Sequence, residues 1–322
     1  ANGTVSNWNP NANGQVNVMR VQGSSVYVGG FFTFVGGQTR NYVAKLDFTG
    51  SAVLAWDANA NSSVYAMTLG GSKVYAGGDF GIIGGQPRVC IAALDSTTGL
   101  ATAWNPVSDN SVRALALDAD TVYVGGLSTN IGGLARNYVA KIDPTTGSAV
   151  PVWDPNANSY VFSLAVSGTT VYAGGAFTSV GGQVRGYIAR LSKTTGLADS
   201  WNPAANNLVY TLVSSGSKIY AGGEFSVIGG QARNRIAELS VPSGAAAAWD
   251  PNAMDGAVYV LSQSGTSIFA GGPFTSIGGK SRNRIAALDA STGALADWNP
   301  NSNARVNAIV VSGGKVYAAG DF

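Results

Sequence analysis

Residues 26–47, VYVGGFFTFVGGQTRNYVAKLD, set two Gly-Gly pairs seven residues apart ahead of an arginine. A glycine-rich loop ending in a cation is one way to cradle phosphate. That chemistry needs the loop to run into a helix N-terminus, and a Walker loop also needs a Lys followed by Ser or Thr. Neither follows here, so both glycine pairs are expected to serve the backbone. Other groups point to other chemistry. Asp79 and Glu224 each follow a first Gly-Gly pair, Asp321 holds the same place after Ala319-Gly320, and Asp118 and Asp120 lie two apart in LDADT. Carboxylates gathered on one rim could hold calcium, which takes six to eight oxygens; this leaves a bound calcium ion as the one cofactor considered. LDADT itself reads as a solvated turn. Histidine is absent, which removes imidazole acid–base catalysis, His-dependent nucleophile systems and His metal ligation. Cys90 is the single cysteine, so no intrachain disulfide forms. It is expected to be a buried, inert thiol.

What positions these residues is a repeat. The opening stretch returns at residues 74–95, 122–143, 171–192, 219–240 and 268–289, and VYAAGDF ends the chain. Trp8, Trp56, Trp104, Trp153, Trp201, Trp249 and Trp298 recur every 48 or 49 residues. Arg40, Arg88, Arg136, Arg185, Arg233 and Arg282 keep the same period. Within a period the apolar alternation and turn signals give four short strands: residues 16–21, 25–30, 41–47 and 52–56 in the first. DSTTG, DPTTG and DASTG are turns in which Asp can bond the backbone ahead and Gly takes positive φ. WNPN and WDPN force the chain to turn. No window sustains a 3.6-residue apolar period, so almost no helix is expected.

Four strands in about 48 residues match a β-propeller blade. The expected fold is therefore all-β: a single propeller domain over residues 1–322, built of four-stranded antiparallel blades. Six complete blades run from about residue 16 to 300, with partial units at 1–15 and 301–322. Seven blades are favoured, the last split between the termini or incomplete; six is the alternative. A start and stop in mid-repeat suggest a piece of a longer chain.

Each repeated residue carries two readings. The arginine fork could hold an anion, but recurrence in every blade favours backbone carbonyls or a carboxylate, with Asp47, Asp95, Asp143 and Asp289 as candidate partners. Ser192 and Ser240 replace that acid in two blades. Tryptophan beside Asn and Asp could form a sugar platform. Identical placement in seven copies favours packing between blades. Asn2-Gly3-Thr4 and Asn61-Ser62-Ser63 are sequons short enough to arise by chance.

The consensus VYVGGxFTSIGGQxRNRIAALDxTTGxxxxWNPN resembles the bacterial delta-60-type β-propeller repeat. It is also similar to kelch-like repeats of fungal cortical polarity-marker proteins. The resemblance spans essentially the whole chain and implies a secreted or surface-anchored propeller with no reaction of its own. Departures are Ala318-Ala319 and the missing third strand of the last unit. Residues 93–104, ALDSTTGLATAW, are similar to the tryptophan-docking motif of quinoproteins, with the Trp one residue late. The vicinal cysteines and acid cluster of that family are absent.

Composition agrees with such a setting. Only 11% of the residues are charged, against about a quarter in ordinary soluble domains, and the formal net charge is +2. No basic run offers a nucleic-acid footprint, and no apolar run reaches the ~20 residues of a membrane helix. The expected function is a non-enzymatic extracellular or cell-surface scaffold, with no catalytic, cofactor or metal residues. It binds a protein or glycan through one face. The expected ligand-facing loop residues are Phe31, Phe32, Phe34, Ile82, Ser128, Asn130 and Phe274. A lectin is the alternative, as is a filament or sheath subunit that self-associates by strand exchange. A glycosidase is the least favoured.

Overall fold

The computed structural model describes residues 3–48, 53–119 and 121–322. Every regular element among them is a β-strand. Six three-stranded antiparallel sheets follow one another, and we number them as blades 1 to 6. Blade 1 is Gln15–Gln22, Ser25–Phe31 and Val43–Asp47. Blade 2 is Val64–Gly70, Lys73–Gly78 and Ile91–Asp95. Blade 3 is Val112–Asp118, Thr121–Gly126 and Val139–Ile142. Blade 4 is Val161–Ser167, Thr170–Gly175 and Ile188–Ser192. Blade 5 is Val209–Ser215, Lys218–Gly223 and Ile236–Ser240. Blade 6 is Val260–Ser264, Ser267–Gly271 and Ile285–Asp289. A two-stranded hairpin, Val306–Ser312 and Lys315–Gly320, completes the series.

The fourth strand is shorter than its sequence suggests. In the first period Ala52 lies outside the described residues, and Val53 makes one bridge to Leu46. Ala101, Ala149, Ala198, Ala246 and Leu295 each make one such bridge to the third strand of their blade. The WNP turn begins only a few residues later, and proline and its predecessor cannot continue a ladder.

The second strand lies in the middle of its sheet. Its VYVGG-type run is buried residue after residue, because a strand covered on both faces needs no polar side. The two glycine pairs then have separate causes. A Cβ on Gly77 would lie 2.4 Å from Val112 Cγ1 of the next blade, and one on Gly78 would lie 2.0 Å from the Ser63 carbonyl oxygen. The first pair is thus a hole for a neighbouring valine and a close backbone approach. The second pair turns a small ribbon, Phe34–Val35 against Gln38–Thr39, through Gly36 and Gly37 at φ 60° and 79°. Two consecutive positive φ angles are what a type I′ hairpin turn demands.

The chain forms two compact units. One holds the described residues of 6–154 with Asp321, hence blades 1 to 3; the other holds residues 155–320, hence blades 4 to 6 and the terminal hairpin, together with residues 3–5 and Phe322. In the second unit Gly3 lies against the backbone of Asn299 as Gly99, within the first, lies against Asp57.

Candidate recognition surface

The repeated arginines are internal. Arg88 donates from one guanidinium nitrogen to the Pro87 carbonyl (2.7 Å) and from the other to the Thr102 carbonyl (2.6 Å). Arg40, Arg136, Arg185, Arg233 and Arg282 repeat this fork on the carbonyl before them and the one fourteen residues on. The fork therefore ties the Gly-Gly loop to the fourth-strand segment. The acid beside it differs from the candidates named above. Arg40, Arg136 and Arg233 approach Asp57, Asp154 and Asp250, which follow the tryptophan, at 3.5–3.9 Å. Asp95, Asp143 and Asp289 are instead turn caps. Asp95 Oδ1 accepts from the Thr97 and Thr98 amides and the Thr98 hydroxyl. These bonds hold the carboxyls of Asp95, Asp143 and Asp289 below the ordinary carboxylate range.

The tryptophans are bolts between blades. Trp56, Trp104, Trp153, Trp201 and Trp249 are buried, while Trp8 and Trp298 are half-buried. Trp104 meets the Tyr75 ring edge-on at 5.2 Å, and its indole N–H donates to the Asp143 carbonyl of the next blade at 2.8 Å. Trp8, Trp56, Trp201 and Trp249 donate to the corresponding carbonyls of Asp47, Asp95, Ser240 and Asp289. Five buried indoles cannot present a sugar platform.

The expected loop residues divide. Phe31, Phe34, Ile82 and Asn130 are exposed. Phe32, Ser128 and Phe274 are not ligand-facing: they are at most 2% exposed. Their repeat position points inward, and Phe80, Phe177 and Phe225 fill it in other blades. What fixes the loop is the last residue of WNPNAN. Asn13, Asn61, Asn158 and Asn206 each accept two amide protons through Oδ1 from residues 20 and 21 places on. Asn61 of the second sequon is thus a loop clamp, and Asn2 of the first lies outside the described residues.

A further row of residues lies where the first strand bulges. The strand-one to strand-two register shifts between Val64 and Ala66, Val112 and Ala114, Val161 and Ser163, and Val209 and Thr211. A bulge re-aims the extra side chain. The same repeat position holds Asn17, Tyr65, Arg113, Phe162, Tyr210, Tyr259 and Asn307 in the seven copies, and the residue before it is always Val; in blade 6 the ladder begins one residue later, at Val260. In blades 4 to 6 the rings form a strip. Tyr160 and Phe162 are 6.2 Å apart, Phe162 and Tyr210 5.5 Å, and Tyr210 and Tyr259 4.9 Å. Tyr160 is 42% exposed and the others are half-buried. Glu224 accepts from the Tyr210 hydroxyl at 2.8 Å, and the Arg305 guanidinium lies 5.5 Å from the Tyr259 ring centre. Burial, then Glu224, pushes the Tyr210 phenol well above its ordinary value. In blades 2 and 3 the Arg113 guanidinium stacks 3.6 Å from the Tyr65 ring centre, and the Tyr65 hydroxyl donates to Asp79 at 2.9 Å. Periodicity alone missed this row, although an invariant Val followed by a variable residue was its signal.

The acids at this repeat position are engaged by side chains: Asp79 by Tyr65, Glu224 by Tyr210 and Asp321 by the Gln15 amide. Among the described residues no group of three or more metal-ligating side chains occurs. Asp120 of LDADT lies outside them. Cys90 is buried, and its thiol is pushed up to about 11 by burial and by Asp79 and Asp109.

Comparison with known proteins places this geometry. A family model described as a domain of unknown function (DUF5122) beta-propeller matches residues 25–52, 170–196 and 217–240. The WD40 beta propeller domain of Doa1 superposes with a TM-score of 0.68 at 11% identity, over 97% of this chain and 92% of that one. The chain is a β-propeller repeat protein. A computationally designed protein, Ika8, has the same fold at a TM-score of 0.62 and 14% identity, covering 97% of this chain and 96% of its own. No curated protein sequence matches this propeller. Identities this low speak for the fold alone, so its function rests on its own surface.

Proposed function

We propose that this propeller is a non-enzymatic recognition scaffold of the secreted or cell-surface, delta-60 or kelch-like kind, binding a protein or glycan partner through the face that carries its bulge row. The observation that carries this is the contrast at the bulge. An invariant valine anchors each copy, and the next side chain varies among Asn, Tyr, Arg and Phe. A rigid strand displaying variable aromatic and basic groups is how interaction energy concentrates in a few anchors. The exposed Phe31, Phe34, Ile82 and Asn130 lie on the Gly-Gly loops at the same end of their blades. Glycan arrays and binding to intact cells test the reading. Wild type is expected to bind in at least one format, and Tyr210→Ser with Tyr259→Ser to lose that binding while keeping its thermal transition. Equal binding by the double variant rejects the row as the site.

One observation favours a second reading, self-association by strand exchange. Among the described residues, the second strand of the terminal hairpin, Lys315–Gly320, is paired in its sheet with Val306–Ser312, whereas its counterparts in blades 1 to 6 pair with two strands each. An open edge accepts an added strand. Particles that stay monomeric at all concentrations in size-exclusion and imaging would reject it.

A further inference from the structure

The row of variable side chains already contains one internal clamp for arginine. In blade 2 the Tyr65 hydroxyl donates to Asp79 at 2.9 Å. The Arg113 guanidinium, from the bulge of blade 3, stacks 3.6 Å from the Tyr65 ring centre and lies 4.0 Å from the Asp79 carboxylate. A planar, weakly hydrated cation suits a ring face with a carboxylate beside it. Blade 5 repeats the tyrosine and the acid at the same two places of the repeat. There the Tyr210 hydroxyl donates to Glu224 at 2.8 Å. The place of Arg113 falls in blade 6 to Tyr259, whose ring meets Tyr210 edge to face with centres 4.9 Å apart.

The three acids at this repeat position are therefore answered differently. Asp79 has Arg113, and Asp321 has the Gln15 amide at 2.8 Å. Among the described residues the Glu224 carboxylate has the Tyr210 hydroxyl alone. Two nearby arginines are engaged elsewhere: Arg235 donates to the Ala253 carbonyl at 3.0 Å, and Arg305 lies 5.5 Å from the Tyr259 ring centre. Glu224 is half-buried, so a group from outside can reach it. Phe162 flanks Tyr210 at 5.5 Å and extends the aromatic wall. We propose that Glu224 and the rings around it take an arginine side chain of a protein partner, its guanidinium on the carboxylate and its flat face against the strip. The inference rests on the variable row being the recognition face. It selects a protein over a glycan, because a neutral sugar leaves the carboxylate without a counter-charge.

Titrating isotope-labelled protein with acetyl-arginine amide tests this by amide shifts. Saturable shifts in the millimolar range are expected at Gly223, Glu224 and Phe225. Acetyl-citrulline amide, which keeps the shape without the charge, is expected to bind about tenfold more weakly, as losing a charged hydrogen bond implies. Glu224→Gln keeps an acceptor for Tyr210 and should bind the two amides alike. Arg113→Ser vacates the blade 2 clamp and should add a second saturable site at Gly78, Asp79 and Phe80. Absence of saturable shifts, equal binding of the two amides by wild type, unchanged binding by Glu224→Gln, or no second site in a folded Arg113→Ser would overturn the assignment. Binding to cells and arrays separates it from the reading beneath it. If Tyr210→Ser with Tyr259→Ser loses that binding while Glu224→Gln keeps it in full, the row stays the recognition face and the arginine is rejected.

Discussion

Single side chains hold this protein together by acting across blade boundaries. Trp104 shows the logic: its ring packs on Tyr75 within blade 2, and its N–H reaches Asp143 in blade 3. Trp104→Ala removes both, and a cost of about 3–5 kcal/mol in denaturant unfolding is expected. Asp143 adds a pH dependence. Its folded pKa is lowered, chiefly by the Thr146 and Thr145 amides. The stability it contributes is therefore complete above the ordinary carboxylate value, and is lost as pH falls through the lowered one. Acid unfolding of Asp143→Ser should show a shallower loss below about pH 4 than wild type. Blade 4 supplies the uncharged precedent, since Ser192 Oγ accepts the same two amides at 3.2 Å. Cys90 gives a third outcome at this scale. With its thiol pushed up to about 11, iodoacetamide at neutral pH should label it only when the protein unfolds.

At the scale of the strand, the two glycine pairs separate steric from conformational cost. Gly77→Ala drives a methyl into Val112, whereas Gly85 has open space around it and only a positive φ of 73° to strain. The first substitution should cost about 1–3 kcal/mol and disturb the neighbouring blade. The second should cost about 1 kcal/mol and stay local. Thermal melts with amide spectra of blade 3 distinguish them. The bulge is the other decision made at this scale. Strand propensity sets the Val-x-Ala/Val/Ser/Thr run in extended backbone, but the extra residue exists only against its partner strand. Whether Tyr210 packs inward or is re-aimed depends on that pairing.

At the scale of the whole molecule, stability is built from similar neighbour contacts repeated along the chain. A Val of one blade fills the glycine hole of the blade before it, and an indole of one blade bonds a carbonyl of the next. Among the described residues the terminal hairpin forms a two-stranded sheet where blades 1 to 6 have three strands. Hydrogen exchange should therefore be faster at the outward amides of Lys315–Gly320 than at those of Lys218–Gly223, which Ile236–Ser240 covers. Equal protection at the two strands would mean that another strand occupies that edge.

The sequence by itself determined the repeat, the all-β class, the turns and the internal character of Arg and Trp. Those properties follow from spacing and local chemistry: Gly-Gly turns, Asp caps and proline turns act within a few residues of where they are written. The tertiary structure decided which way each side chain faces. Phe32, Ser128 and Phe274 lie in a loop and yet are core, because Asn13 and its counterparts fold that loop inward from about 20 residues away. Tyr210 and Arg113 lie in a strand and yet belong to the candidate surface, because a bulge turned them. The acid beside Arg40 proved to be Asp57 rather than Asp47, since the fork follows its two carbonyls. Period and propensity are properties of the chain, but facing is a property of neighbours, and only packing supplies the neighbours.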